Sequence, residues 1–273
     1  MGELDLDCAL VERMLVGFLR EEIGKVGFTR AVVGMSGGID SSVVTALAAR
    51  ALGPGNVLGL MMPYKTSNPD NIADASKLAE QLGIETAVVD ITPQIDAYFE
   101  RFPEADQRRR GNKMARERMT ILYDFSAARR ALVVGSSNKT EWLLGYTTLW
   151  GDMASAVAPI GDLYKTQVRQ LAAHLGLPES ILRKPPSADL WPGQTDEGEL
   201  GFTYAEVDRL LFRLVDLRWS PERCVEEGFE AEFVSRVLEL IRRSQYKRRT
   251  PVVAKISQRT VDRDFRYPRD WGY

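Results

Sequence analysis

Five apolar residues, Ala31 to Met35, run without a polar break into Ser36-Gly37-Gly38-Ile39-Asp40-Ser41-Ser42, and a helical pattern follows through Val43–Leu52. An uninterrupted apolar run of this length predicts a strand buried on both faces, the kind found in parallel sheets. Gly37 and Gly38 let the backbone turn sharply and approach a ligand closely. Hydroxyls and free N–H groups at the start of a helix suit an anion, here a phosphate chain. Asp40 adds a carboxylate that can hold magnesium against that chain. No Gly-Lys-Ser/Thr closes the turn and it has no Gly-x-Gly-x-x-Gly, so neither common nucleotide loop applies.

The same alternation continues. Apolar runs at Ala31–Met35, Val57–Met62, Thr86–Ile91 and Ala131–Gly135 predict strands, with helical patterns at Ser42–Leu52, Asn71–Leu82 and Asn112–Arg129 between them. An amphipathic stretch at Leu10–Ile23 precedes them, and Lys165–Gly176, Tyr204–Val215 and Phe229–Arg243 make the second half more helical. The expected fold is α/β, a doubly wound parallel sheet with helices on both faces and a helical C-terminal part. Ser36–Ser42, Pro63–Asp70 and Ser136–Glu141 each follow a strand, where such sheets bind ligands. Lys184–Glu197 has no periodicity and reads as a long ordered loop, a lid over substrate. Residues 1–273 are expected to form one domain, with an N-terminal helix in 1–30 and a tail in 245–273.

With 273 residues, 44% of them hydrophobic, the chain can bury a sizeable core, and a net charge of −2 provides no overall basic field for nucleic acid. Cys8 and Cys224 form no CxxC, so neither a disulfide framework nor a zinc site is expected. His174 is the single histidine, which argues against a Ser-His-Asp hydrolase; at the end of a helix it reads as a surface or capping residue. Glu3, Asp5 and Asp7 open the chain in place of a signal peptide, and no run approaches the roughly 20 apolar residues of a membrane span. A cytoplasmic protein is expected, with no membrane or nucleic-acid partner.

The turn at Ser36–Ser42 resembles the Ser-Gly-Gly-x-Asp-Ser pyrophosphate loop of the N-type ATP pyrophosphatases, which cleave ATP between the α and β phosphates and adenylate an oxygen of their substrate. That resemblance implies an adenine-nucleotide α-hydrolase-like fold and ATP contacts from Gly34, Met35, Ser36, Gly37, Gly38, Ile39, Asp40 and Ser41. Four further segments narrow it. Gly111-Asn112-Lys113-Met114-Ala115-Arg116-Glu117-Arg118-Met119 resembles the Gly-Asn-x-x-Ala-Arg-x-Arg-Met signature of the ammonia-dependent NAD synthetases. The family assigns the position of Arg116 to deamido-NAD, and Asn112 joins it. On a helix Arg116 and Arg118 diverge.

Val134-Gly135-Ser136-Ser137-Asn138-Lys139-Thr140-Glu141 is similar to a second family segment, which implies a hydroxyl at Ser136 against ATP and a magnesium ligand at Glu141, alongside Asp40. In Pro159–Thr166, Lys165 matches a lysine on the ATP phosphates, and the first turn of a helix is otherwise a poor place for a cation. Lys184-Pro185-Pro186-Ser187-Ala188-Asp189-Leu190, followed by Gln194-Thr195-Asp196-Glu197, resembles the substrate-covering loop, with Ser187 at an ATP-contacting position. The five motifs occur in the family's order between Gly34 and Lys247. Departures lie in Gly145–Ala156, where a lysine and an aspartate used on deamido-NAD are Leu149 and Ala156, and at Tyr246-Lys247, which stands where a His-Lys pair is common. Lys247 and Asp152 remain as deamido-NAD contacts.

The resemblance implies ATP-dependent amidation of deamido-NAD with ammonia to NAD, AMP and pyrophosphate, through an acyl-adenylate. ATP is the co-substrate and Mg2+ the cofactor. Asp40, Asp152 and Lys165 are the catalytic candidates, and the sequence leaves open whether Asp40 or Asp152 orients ammonia or takes its proton. About thirty residues precede Val32, too few for a glutaminase domain, so ammonia is expected free or from a separate protein. The family implies a homodimer, with the tail 245–273 compatible with an interface. A tRNA thiolase is the alternative enzyme, although Cys8 and Cys224 lie outside every motif. A nucleic-acid-binding protein is the alternative of another class, resting on Arg108-Arg109-Arg110 and Lys247-Arg248-Arg249, which are read instead as solvated loops or an interface.

Overall fold

A computed structural model describes residues 2–191, 193–249 and 251–260; Pro192 of the long loop and residues 261–273 of the tail lie outside the described residues. The amphipathic start is α1 (Cys8–Gly24), whose first turn is capped by the Asp7 carboxylate accepting from the Leu10 N–H. It leads to β1 (Ala31–Gly34), α2 (Ile39–Leu52), β2 (Val57–Met61), α3 (Pro69–Leu82), β3 (Glu85–Val88), α4 (Thr92–Phe99), α5 (Gln107–Arg129) and β4 (Leu132–Val134). The strands are all parallel, in the order β3-β2-β1-β4, with Ala31 opposite both Val57 and Leu132. The chain therefore leaves β1 in one direction and returns to its other side for β4. The crevice between the loops after β1 and β4 is the topological switch point of the sheet.

Side chains alternate across the sheet as a strand requires. Val33, Val57 and Met61 join α1, α2, α3 and the later helix α7 (Lys165–His174) on one face, while Val32, Leu58 and Leu60 meet α4 and α5 on the other. Helix α2 is buried on nearly every side, as expected of a helix without a polar face. It starts at Ile39 rather than Ser42, because the extended Gly38 caps it and the Ser42 N–H and hydroxyl both donate to the Gly38 carbonyl. Asp40 and Ser41 thus sit in the first turn of the helix.

Other boundaries differ from expectation as well. The third strand stops at Val88 because Asp90 accepts from the Thr92 N–H and turns the chain into α4, a helix absent from the expected pattern although Ile91, Ile95 and Phe99 recur every four residues and are buried. Helix α5 begins five residues early, at Gln107, under an Asp106 cap. The Arg108–Arg110 run is therefore helical, not a loop, with Arg109 and Arg110 stacked on Phe102 and Phe99 at 5.0 and 4.5 Å.

After β4 come α6 (Lys139–Leu144), α7, α8 (Glu179–Arg183), α9 (Asp196–Leu200), α10 (Tyr204–Leu211), a π-turn at Phe212–Asp216, α11 (Pro221–Glu226) and α12 (Ala231–Ser244). Tyr164, Tyr204, Val207, Leu210 and Val237 form a third apolar cluster, in which Cys224 is buried. The beginning of the tail is folded back, with the Arg248 guanidinium donating to the carbonyls of Trp142, Leu143 and Ile241. His174 is exposed and meets Glu12 across α1 and α7 at 2.9 Å. Among the described residues, no helix is long and apolar enough to cross a membrane.

Candidate active site

The loop after β1 is held by its own hydroxyls. Ser41 Oγ accepts from the Ser36 N–H at 3.2 Å and lies 3.0 Å from Ser36 Oγ, which accepts from the Gly38 N–H at 3.2 Å. Gly37 has φ +73°, and a Cβ there would lie 2.2 Å from the Asn71 carbonyl oxygen, so the position demands glycine. Met35 extends the strand through Leu60, and Ile39 is buried beneath the turn, leaving Ser36 exposed at its mouth.

The opposite wall of the crevice is the loop after β4. Asn138 caps α6 reciprocally: its Oδ1 accepts from the Glu141 N–H at 3.0 Å, and Glu141 Oε2 accepts from the Asn138 N–H at 3.2 Å. Asn138 Nδ2 then donates to Asp40 Oδ1 at 2.9 Å, which joins the two walls. Ser136 lies just beyond β4, half-buried.

Between the walls, Lys165 Nζ lies 2.5 Å from Asp40 Oδ2 and 3.1 Å from Glu141 Oε1, and Lys165 is 2% exposed. The Tyr204 ring is 5.0 Å from the ammonium. Burial by itself would lower the Lys165 ammonium, but Asp40 and Glu141 outweigh it and hold it above its ordinary value. Burial pushes Glu141 up to about 8, against the pull of Lys165 and with the push of Asp40's charge. Two carboxylates share one ammonium, so at neutral pH the excess negative charge is relieved by a proton on Glu141, which a second cation would displace. Asp196 adds a third carboxyl: its Oδ2 accepts from Tyr204 OH at 3.0 Å, its Oδ1 is buried without a hydrogen-bond partner, and burial raises its carboxyl.

Such a site fits a divalent cation. Among the described residues no group of three or more His, Cys, Asp or Glu forms a complete cage, so phosphate and water oxygens must fill the remaining positions. That is the usual manner of Mg2+.

The four residues expected on deamido-NAD converge elsewhere, on the segment 145–152. Asn112 Oδ1 accepts from Thr148 Oγ1 at 2.9 Å, and Arg116 Nε donates to the Leu149 carbonyl at 3.1 Å. Asp152 Oδ1 accepts from the Thr148 N–H at 2.7 Å, while Lys247 Nζ donates to the carbonyls of Gly145 and Thr147 at 2.8 and 2.7 Å. Burial first, then Arg108 and Arg116, lowers the Lys247 ammonium, with Asp152 opposing. Arg118 diverges as helical geometry requires and donates to the Met62 carbonyl at 3.0 Å. Trp150 holds φ +59°, uncommon for a bulky residue, and lines an open apolar cleft with Met119, Tyr123 and Met153.

The long loop lies across the C-terminal ends of β1 and β2. Lys184 Nζ donates to Asn71 Oδ1 at 2.8 Å and to the Gly37 carbonyl at 3.4 Å, and pairs with Asp74. Asp189 accepts from Asn71 Nδ2 at 2.9 Å. Ser187 belongs to neither cluster; its exposed hydroxyl donates to the Gln194 carbonyl at 2.7 Å, closing the loop on itself. The sequence reading gave no role to Asn138, Asp196 or Tyr204. Only Asn138 carried a local signal, an asparagine three residues before a glutamate.

Residues 11–251 match the family model described as NAD synthase. A protein of Trichlorobacter lovleyi named NH(3)-dependent NAD(+) synthetase is 60% identical over 272 residues, which cover 100% of both chains. The structure of an NMN synthetase from Francisella tularensis superposes with a TM-score of 0.82 at 32% identity, covering 92% of this chain and 99% of that one. An NH3-dependent NAD synthetase from Campylobacter jejuni, in complex with the nitrate ion, gives 0.79 at 31% identity over 92% of this chain and 100% of its own.

Proposed function

The chain belongs to the NAD synthase family, and from that premise we propose that it amidates deamido-NAD with ammonia at the expense of ATP, through the cluster of Asp40, Glu141 and Lys165. The observation that carries this assignment of residues is the buried Lys165 ammonium between two carboxylates at the switch point, beside a glycine-dependent anion loop. A nicotinate carboxylate oxygen attacks the α-phosphorus of ATP and the bond to the β-phosphate bridging oxygen breaks, releasing pyrophosphate. Ammonia then attacks the acyl carbon of the adenylate, AMP leaves with the bridging oxygen, and the amine loses a proton.

Backbone donors at Ile39, Asp40 and Ser41 in the first turn of α2 and the Lys165 ammonium face the phosphates and stabilise charge on the leaving pyrophosphate. Asp40 and Glu141 would hold Mg2+, which when bound would supply further neutralisation of phosphate charge. Ser136, just beyond β4, flanks the nucleotide, and Ser187 reaches it only if the long loop shifts its hydroxyl from the Gln194 carbonyl. Asn112, Arg116, Asp152 and Lys247 shape the 145–152 segment against deamido-NAD, which holds acid and phosphate in line. Asp40 engages Asn138 and Lys165 and Asp152 engages the Thr148 N–H, and either carboxylate can take the ammonia proton once its present partners move. The whole chain acts as one catalytic domain in the cytoplasm. It pairs as a homodimer through the apolar Met119, Tyr123, Trp150 and Met153 face, which adjoins Arg116.

Chromatography of a reaction containing deamido-NAD, ATP, magnesium and ammonium tests the reading: NAD, AMP and pyrophosphate should appear in equal amounts. ATP consumed with no NAD formed would overturn it. The likeness to the Francisella NMN synthetase supports a second reading, in which the mononucleotide acid is the substrate, and a parallel reaction with that acid separates the two. Light scattering at the eluted peak tests the dimer.

A further inference from the structure

Helix α10 buries a carboxylate that the chemistry above does not use. Asp208 is completely buried, and its carboxylate oxygens are held by a hydroxyl and a backbone N–H rather than by a cation among the described residues. Its Oδ1 accepts from Thr140 Oγ1 at 2.6 Å, and its Oδ2 accepts from the Thr166 N–H at 2.8 Å. Thr140 Oγ1 in turn accepts from the Lys165 N–H at 3.0 Å. Thr140 precedes Glu141 in the first turn of α6, and Thr166 follows Lys165 in the first turn of α7. One carboxylate therefore ties together the two helix starts that carry the opposed charges of the site. Tyr204 lies one turn earlier on the same face of α10 and presents its ring to the same ammonium.

Burying a carboxylate costs several kcal/mol unless it is well paired, and an apolar residue here would serve packing better. The position is explained by what the carboxylate holds. We propose that Asp208 is a positioning residue for the ATP step, fixing through Thr140 and Thr166 the spacing at which Glu141 and Lys165 meet the phosphates and their metal ion. It touches neither nucleotide nor metal. Its effect travels through two helix starts, whose backbone positions set where the functional side chains begin. The inference rests on Asp40, Glu141 and Lys165 forming the ATP site, and the turnover of the unmodified enzyme tests that reading separately.

Asp208→Asn keeps the shape and one acceptor but forces the amide to donate toward Thr140, which already receives the Lys165 N–H. Partners behind metal and phosphate ligands are worth about 10- to 100-fold in affinity or activity. Calorimetry of ATP binding in EDTA should show a Kd raised about tenfold in Asp208→Asn, and the magnesium concentration for half-maximal turnover should rise about as much, with KM for deamido-NAD changed less than about twofold. Thr140→Val should shift ATP affinity in the same direction, and Thr140→Ser, which keeps the hydroxyl, should restore it to within about threefold. A lower melting temperature in Asp208→Asn with unchanged ATP affinity and magnesium dependence would leave Asp208 a purely structural residue and overturn the proposal. If Asp208→Asn does not fold, the Thr140 pair decides, and Thr140→Val behaving like Thr140→Ser overturns it.

Discussion

Removing the charge of Glu141 should flatten the pH dependence of the metal-free protein's stability. In the folded state burial pushes this carboxyl from 4.5 up to about 8. A carboxyl raised on folding contributes stability that is complete below its unfolded value and lost as pH rises through its folded value. The window therefore runs from about pH 4.5 to about pH 8. At about 1.4 kcal/mol per unit, the ceiling for that loss is roughly 5 kcal/mol. For a domain of this size each kcal/mol moves the melting temperature by about 2–4 °C. Asp152, Asp196 and Asp208 are raised too and act with the same sign, so part of the slope survives the substitution. Scanning calorimetry in EDTA at several pH values, on the unmodified protein and on Glu141→Gln, measures the difference. The unmodified protein should lose melting temperature across the window, and Glu141→Gln should lose several degrees less. Parallel curves would refute the assignment of the raised, buried carboxyl to Glu141.

Gly37→Ala should disable the loop: its Cβ would meet the Asn71 carbonyl at 2.2 Å with φ at +73°, and a cost above about 1 kcal/mol, read in urea unfolding, should accompany loss of ATP binding by calorimetry. Lys184→Met unties the long loop from Asn71, Asp74 and Gly37, so KM for ATP should rise about tenfold while the melting temperature moves by only a few degrees; an unchanged KM would show that the tether has no part in closing the site.

Much of the fold could be read before any coordinates, because parallel strands buried on both faces write themselves as unbroken apolar runs. Val32 and Val33, or Leu58 and Met61, point to opposite faces and are all buried, so β1 and β2 followed from hydrophobicity alone, whereas β3 is an edge strand with Glu85, Thr86 and Val88 exposed. Helix starts were less legible. A cap is a local hydrogen bond, and the Gly38 and Asp106 caps moved two starts by three and five residues. Helix α4 is only eight residues long, and its apolar repeat of Ile91, Ile95 and Phe99 begins at the end of the third apolar run, so strand and helix signals merge there.

The candidate site divides in the same way. Its residue types were legible through motif order, and the divergence of Arg116 and Arg118 followed from helical geometry. That Lys165 would bridge Asp40 and Glu141 was not. It depends on β4 lying beside β1, and nothing local in either loop states the strand order. Asp208 and Asp196 are still further from legibility. Each is one acid on an ordinary helix, and its meaning comes from partners such as Thr140, 68 positions away in the chain.

The most direct test follows an oxygen atom. Deamido-NAD carrying oxygen-18 in its nicotinate carboxylate is turned over with ATP, magnesium and ammonium, and the products are separated for mass spectrometry. One labelled oxygen should appear in AMP for each NAD formed, because the attacking carboxylate oxygen becomes the bridge of the adenylate and leaves with its phosphate. Label in pyrophosphate or orthophosphate, with none in AMP, would contradict this mechanism.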